Sequence, residues 1–485
     1  METYEKLADP VALTIFLLTL SLPILIGILT LRRTRSQSDF LIGGRAMDKL
    51  VVALSAVSSG RSSWLVLGVS GMAYVSGVGA VWAVAGYILA ELFQFIFLGR
   101  PLRQATEGYD SLTLLDYFES RFADRRHLIR IIGVVIIGIF LTAYVAAQFN
   151  AGAKALSTAL NVDLLLALAI SGVLILVYMV MGGYIAVAYN DVVRAVIMII
   201  GLVLFPIYGF VRIGGVRALL EVLNQLNPAL IDPVSIGFGA LIGFLGIGLG
   251  SPGQPHIVVR YMSVNDPARL RSAAVIGTIW NVILGWGAVF IGLLGRAVVP
   301  LAENLPEADP ELVFLVLASD YFGPILYGLL IGGIFAAILS TVDSQLLVVA
   351  STVVRDLYEK VLRRRGEMSE AVKLRLSRWV VIGAGLVALI VAWTAQDLVF
   401  WLVLFAWGGL GAAFGPALIL ALYWKRTTRA GIAAGMITGA VVVIVWKQFL
   451  AGPTGLYELI VAFPAALFAI VGVSLLTRRA RNGEV

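Results

Sequence analysis

Ser58, Arg61, Ser62 and Trp64 stand on a Gly/Ser-rich interruption, Val57-Ser58-Ser59-Gly60-Arg61-Ser62-Ser63-Trp64, set inside a long apolar stretch. Residues 50–56 and 65–74, on either side, are apolar enough to lie in lipid. Hydrocarbon offers no partner to a loosened backbone, so such a break persists only where it lines a protein cavity. Unwinding frees carbonyls and half-helix ends, which bind ions and polar solutes. Arg61 adds a charge that is costly at the bilayer centre and marks a pathway or a buried pair. A second break, Gly246-Ile247-Gly248-Leu249-Gly250-Ser251-Pro252-Gly253, interrupts another apolar stretch further along. Two interrupted spans in corresponding halves point to a central transport site.

A third group reads Phe335-Ala336-Ala337-Ile338-Leu339-Ser340-Thr341-Val342-Asp343-Ser344. Steps of three and four residues put Ser340, Asp343 and Ser344 on one helical face with Ala337. Hydroxyls and freed carbonyls are hard-oxygen ligands suited to Na⁺; small residues and hydroxyls also serve close helix packing. Besides Arg61 and Asp343, the apolar stretches contain Glu91, Asp191 and Arg194. Asp191 and Arg194 lie one turn apart and read as a local, partly hydrated ion pair. Arg61 needs a partner, with Asp343 the first candidate and Asp191 the second; Glu91 has no assigned role. His256, after Gly253-Gln254-Pro255, reads as a helix-end hydrogen bonder rather than a proton relay. Tyr74, Trp82, Trp424 and Trp446 fit interfacial belts, and residues 301–317 read as a short surface helix.

The elements that must position these groups are membrane helices. The 485 residues are 60% hydrophobic and 13% charged, outside the usage of a soluble domain. With no cysteine and two histidines, the chain has no disulfide framework and no His-based metal cluster. Its formal charge of +7 is dispersed in short loops, so no nucleic-acid surface is expected. No basic region precedes the first apolar run, so no cleaved leader is expected. Runs of about 20 apolar residues predict an all-α integral membrane fold of about thirteen transmembrane helices. These lie near 11–31, 50–75, 78–99, 131–155, 163–182, 191–212, 234–256, 273–295, 320–350, 378–394, 397–424, 431–449 and 456–477.

Lys and Arg concentrate on one set of alternate connections, from Arg32, Arg33, Arg35, Arg45 and Lys49 onward, Arg260 included. The other set holds only Lys6, Arg212, Arg217 and Arg296. The positive-inside rule then puts the N-terminus outside and the C-terminus in the cytoplasm. Odd parity makes spans two to six and seven to eleven two blocks of five that start on opposite sides, each opening with a break. That is the signature of an inverted repeat. One transmembrane domain therefore comprises repeats at 50–212 and 234–424, with peripheral helices at 11–31 and 431–477.

Several stretches together resemble the sodium:solute symporter family, and within it the bacterial sodium/proline symporters. They are Asp39-Phe40-Leu41-Ile42-Gly43-Gly44-Arg45, Ala53-Leu54-Ser55-Ala56 running on to Trp64, and Gly248-Leu249-Gly250 with Gly253-Gln254-Pro255-His256. Further along come Ser340-Thr341 with Gln345-Leu346-Leu347-Val348, Asp356-Leu357-Tyr358, and Ala406-Trp407 through Gly415-Pro416. Val445-Trp446-Lys447-Gln448-Phe449 and Leu456-Tyr457-Glu458 complete the match. The resemblance implies the inverted-repeat fold shared with neurotransmitter:sodium symporters and alternating access around a midplane site. It implies a Na⁺ site from the carbonyls of Ser58, Arg61 and Ala337 with the hydroxyls of Ser340 and Thr341, and a cation-handling acid at Asp191. It implies a solute pocket with Ser62, Ser63, Trp64 and Tyr144, joined by Ile247 and Ser251. The chain departs from the proline carriers at Gly60, where they have an acid. It departs again at Arg61, where they are uncharged, at Asp343, and at Ile247 and Ser251, which replace an aromatic pair. Proline is therefore not the expected solute.

The expected function is secondary active transport of a small organic solute, such as an amino acid or a carboxylate, across the cell (inner) membrane. The expected partners are that solute and the lipid bilayer, with no nucleic acid, no obligate protein partner and no organic cofactor. Two coupling modes stay open. Either Na⁺ binds at Ser340 and Thr341 while Arg61 pairs with an acid or a solute carboxylate, or Arg61 fills the cation site and coupling is to protons or absent. A membrane sensor that binds solute without moving it is the alternative of a different class. No nucleophile–base pair, metal cluster or phosphate loop supports an enzyme.

Overall fold

The computed structural model describes residues 6–31, 34, 36–179, 183–362, 368–395 and 397–482. Arg32, Arg33, Arg35, Arg363, Arg364 and Arg365, and the end of the stretch 163–182, lie outside these residues. The described chain is helical throughout, its one β-type contact being a single bridge between Met47 and Val264. Ten of its helices are long and apolar enough to cross a membrane, and the shorter apolar helices Leu164–Leu176 and Phe238–Gly253 accompany them.

The elements that build the centre are α1 (Pro10–Leu31), α2 (Lys49–Ser63), α3 (Ser70–Ser76), α4 (Val81–Phe93) and α5 (Leu114–Arg121). They continue with α6 (Leu128–Leu160), α7 (Leu164–Met179), α8 (Tyr184–Ile199), α9 (Phe238–Gly246) and α10 (Pro255–Ser263). The last are α11 (Leu270–Val298), α12 (Pro324–Ser351), α13 (Glu370–Thr394), α14 (Val399–Tyr423), α15 (Arg429–Val445) and α16 (Glu458–Asn482). Local chemistry sets their ends. Asp48 accepts the Leu50 N–H at 2.9 Å to start α2, Pro324 opens α12, and Asn161 closes α6 in the left-handed region. The amphipathic α5, which hydropathy alone does not reveal, begins with a reciprocal cap between Thr113 and Asp116.

α12 is the central post, packed on α1, α2, α6 and α8. Its residues from Leu330 to Leu347 are all buried. α14 lies against α6 and against the segment Ile247–Gly253, which joins α9 to α10 as a tight 3₁₀ winding. Pro255 drives Gln254 out of the helical region to φ −86°, ψ 104°, and then opens α10. The Gln254 side-chain amide donates to the carbonyls of Gly250 (3.1 Å) and Trp407 (2.9 Å), satisfying backbone that lipid would leave bare.

Glycine at 248 is a packing requirement. A Cβ there would sit 2.1 Å from the Gly86 carbonyl oxygen and 2.7 Å from the Ala90 Cβ. Because the obstacle is backbone, Gly248→Ala is expected to cost about 1–3 kcal/mol. Thermal unfolding of the detergent-solubilised protein should show a clear fall in Tm; an unchanged Tm would mean that this winding and α4 have slack between them.

The segment predicted as a surface helix at 301–317 is corrected by the structure. Three 3₁₀ turns lead inward to Glu311, which is 1% exposed, and residues 313–319 are buried in the helix Val313–Tyr321. The Glu311 carboxylate accepts the N–H groups of Val399 and Phe400, each at 2.8 Å, capping α14, and Lys154 of α6 donates to it at 2.8 Å. Burial pushes the Glu311 carboxyl up, against the pull of Lys154. Apolar length alone could not show that a polar connection folds back into the bundle.

Candidate functional site

The helix carrying the first interruption runs regularly to Arg61 and then breaks at Ser62, whose backbone sits at φ 42°, ψ −171°. A left-handed φ is costly for a residue with a Cβ. The Ser62 hydroxyl accepts the Trp64 N–H at 3.1 Å and closes the turn. Ser63 donates to the Gln148 side-chain oxygen through its N–H (3.1 Å) and its hydroxyl (2.9 Å).

Facing this break, α12 presents Ser340 and Thr341. The Ser340 hydroxyl lies 3.1 Å from the Ser58 carbonyl and 2.9 Å from that of Ala337. The Thr341 hydroxyl lies 3.0 Å from the Ser59 carbonyl and 3.3 Å from that of Ala337. Ser58, Ser59, Ala337, Ser340 and Thr341 are thus brought together as five oxygens across one helix contact. The Arg61 carbonyl accepts the Trp64 N–H at the end of α2.

The Arg61 side chain does not join them. Its guanidinium is buried and lies over the Tyr87 ring, with Cζ 3.5 Å from the centroid. Nε donates to the Asn281 side-chain oxygen at 2.7 Å, Nη2 donates to the same oxygen, and Nη2 is 3.5 Å from a Glu91 oxygen. Asn281 in turn donates to that Glu91 oxygen. The expected pairing of Arg61 with Asp343 or Asp191 is therefore corrected: its acid is Glu91, through Asn281. Glu91 lies one turn beyond Tyr87 on the same face of α4, within reach of a side chain leaving α2 toward α4 and α11.

Asp343 instead accepts from Arg194 at 2.6 Å, and Arg194 is 3.7 Å from Asp191. The other Asp191 oxygen accepts from Ser55 (2.6 Å), Ser59 (2.9 Å) and Arg260 (3.2 Å). Arg260 also donates to Ser59 at 2.8 Å and to Ser344 and the His256 carbonyl. Asp191, Arg194 and Arg260 are at most 1% exposed. The reading of Asp191–Arg194 as a partly hydrated pair is corrected, since four helices enclose it. Arg260, counted as a loop charge, is corrected likewise: it belongs to this buried cluster. His256 is fully buried and edge-on to Tyr144 at 5.9 Å, and its ring nitrogens have no hydrogen-bond partner among the described residues.

Around the break stands an aromatic column. Phe244 meets Phe400 at 5.9 Å, Phe400 stacks on Trp64 at 5.7 Å, Trp64 on Tyr87 at 6.2 Å, and Tyr87 meets Trp407 at 5.3 Å. Trp407 donates to the Ile247 carbonyl at 2.8 Å, tying the column to the second interruption. Ser251 is buried there, its hydroxyl without a partner among the described residues. Gly60 admits the Tyr87 hydroxyl, since a Cβ at position 60 would lie 2.0 Å from it. Sequence reasoning missed Tyr87, Asn281, Arg260, Gln148 and Trp407. Asn281, a lone amide in an apolar span, carried a signal; Arg260, just beyond a predicted span end, did not.

Comparison with known proteins follows this geometry. The model of the sodium:solute symporter family matches residues 40–439. The chain is 36% identical over 464 residues to the osmoregulated proline transporter OpuE of Bacillus subtilis, covering 94% of this chain and 93% of that one. It is 37% identical over 458 residues to the sodium/proline symporter of Escherichia coli, covering 93% and 90%. Among solved structures, a Na⁺-coupled sialic acid symporter in its substrate-bound outward-open state superposes with a TM-score of 0.81. Identity is 18%, with 96% of this chain and 97% of that one covered. MhsT in complex with L-phenylalanine gives 0.56 at 14% identity, covering 89% and 98%.

Proposed function

The chain belongs to the sodium:solute symporter family, as a multi-pass secondary transporter and not an enzyme, and from that premise we propose that it carries a small organic solute into the cell together with Na⁺. The observation that carries this reading is the set of five oxygens from Ser58, Ser59, Ala337, Ser340 and Thr341 spanning the contact of α2 with α12. Arg61, turned onto Tyr87 and Asn281, leaves that set without a guanidinium of its own. Hard oxygens from two helices, one interrupted just beyond, are what a Na⁺ site in a transporter requires. Moving the helices apart opens the site; bringing them together closes it.

In this reading the chain crosses the cell membrane thirteen times, N-terminus outside and C-terminus in the cytoplasm, as its Lys and Arg distribution favours. The blocks 50–212 and 234–424 rock against each other, with 11–31 and 431–477 peripheral. The solute lies between the interruptions, near Ser62, Ser63, Trp64, Tyr144, Ile247 and Ser251. Asp191, Arg194 and Arg260 tie α2, α8, α10 and α12 together in the present state and part when the cytoplasmic side opens. The support is that each of these side chains is buried beside a break or in the cluster that closes it.

The test is counterflow in proteoliposomes with a panel of radiolabelled amino acids and organic acids, in Na⁺ or in N-methyl-D-glucamine. Saturable Na⁺-dependent exchange of at least one solute is the expected result. Equal exchange in both media would remove Na⁺ from the mechanism.

A further inference from the structure

Beside the first break, six buried charges pair with one another, three of each sign. Arg61, Arg194 and Arg260 are matched by Glu91, Asp191 and Asp343, every one of them at most 4% exposed. An electroneutral core of this kind responds differently to different cargoes. One Na⁺ entering with a neutral or zwitterionic solute leaves a net positive charge in a dry enclosure, where uncompensated charge is strongly disfavoured. One Na⁺ entering with a monoanion leaves the core neutral again.

Arg61 has the geometry to receive that anion. It directly precedes Ser62, where the backbone turns away from the helix. Its two hydrogen bonds converge on a single amide oxygen of Asn281, and its acid is held through that amide at 3.5 Å rather than clasped in a two-point pair. The other Glu91 oxygen, Oε1, has no partner among the described residues. A planar guanidinium pairs best with a carboxylate through two parallel N–H bonds, and Glu91 leaves that mode unused. Tyr87, which lies under the guanidinium, and Trp64, stacked on Tyr87 at 6.2 Å, supply apolar surface for a short carbon chain.

Resting on the Na⁺-coupled reading above, we propose that the solute is a small monocarboxylate. Its carboxylate takes the two-point face of Arg61, with Glu91 and Asn281 serving as the resting counter-group, and it moves with one Na⁺ in an electroneutral step.

Proteoliposomes of the full chain, with the membrane potential clamped by K⁺ and valinomycin, test this. The probes are acetate, propionate, pyruvate and lactate, with L-proline as zwitterion and glucose as neutral comparator. The expected result is Na⁺-driven uptake of at least one monocarboxylate, changing less than about twofold between zero and inside-negative potential. Arg61→Met/Glu91→Gln removes both charges and keeps the core neutral. It should lose carboxylate uptake at least tenfold while retaining the Na⁺-dependent rise in Tm, a readout that a merely structural role would not separate.

Na⁺-driven uptake of proline or glucose with inward current, and none of the acids, would overturn the proposal while leaving Na⁺ coupling intact. Undiminished carboxylate uptake by the double variant would overturn the role of Arg61. Carboxylate exchange that requires Arg61 but ignores Na⁺ would overturn the charge-balanced step and the Na⁺ reading together.

Discussion

Replacing Ser340 and Thr341 together by alanine is expected to abolish Na⁺-dependent transport while the protein still folds. Both hydroxyls lie at the contact with the interrupted helix, 3.0–3.1 Å from the carbonyls of Ser59 and Ser58. An oxygen facing a cation contributes about 1.5 kcal/mol or more, so losing two lowers ion affinity on the order of 100-fold. Folding should survive, because each hydroxyl also bonds the Ala337 carbonyl of its own helix, which alanine leaves with its normal helical partner. The measurement is ²²Na⁺ binding or the Na⁺-dependent shift in Tm, alongside uptake. Unaltered Na⁺ affinity in a well-folded double variant would place the coupling site elsewhere.

The second large effect is on stability. Asp343→Ala removes the acceptor 2.6 Å from Arg194. Breaking a buried pair from one side strands a charge, and the cost is about 3–5 kcal/mol, more than the pair itself contributes. The variant should accordingly unfold at markedly lower temperature or fail to accumulate. Adding Arg194→Met removes the stranded charge, and the double variant should recover most of the loss. A double variant no better than the single one would show that Arg194 and Asp343 act through other neighbours. The same pair of experiments on Arg260 and Asp191 separates the two halves of the cluster.

The sequence by itself determined that this chain lives in lipid. Composition and the length of its apolar runs leave no other solvent, and backbone chemistry in that solvent dictates helices. It also located both interruptions, since Gly, Ser and Pro inside apolar stretches have few other uses, and it put Ser340, Asp343 and Ser344 on a face with Ala337. Those inferences rest on local rules: hydropathy, helix periodicity and the conformational limits of particular residues.

What only the tertiary structure decided was pairing. Arg61 could meet any acid within reach of a long side chain, and the choice of Glu91 over Asp343 follows from where α4 and α11 pass. Asn281 makes that link; a lone amide in an apolar span marks it as unusual, but no sequence rule says which groups it will join. Arg260 looked like a loop charge because it follows a span end, yet α10 turns it inward among Ser55, Ser59, Ser344 and Asp191. Glu311 looked like surface polarity for the same reason. Hydropathy measures a residue's preference for water. It carries no information on which distant groups the fold will bring within 3 Å, and for buried charges that distance decides both stability and function.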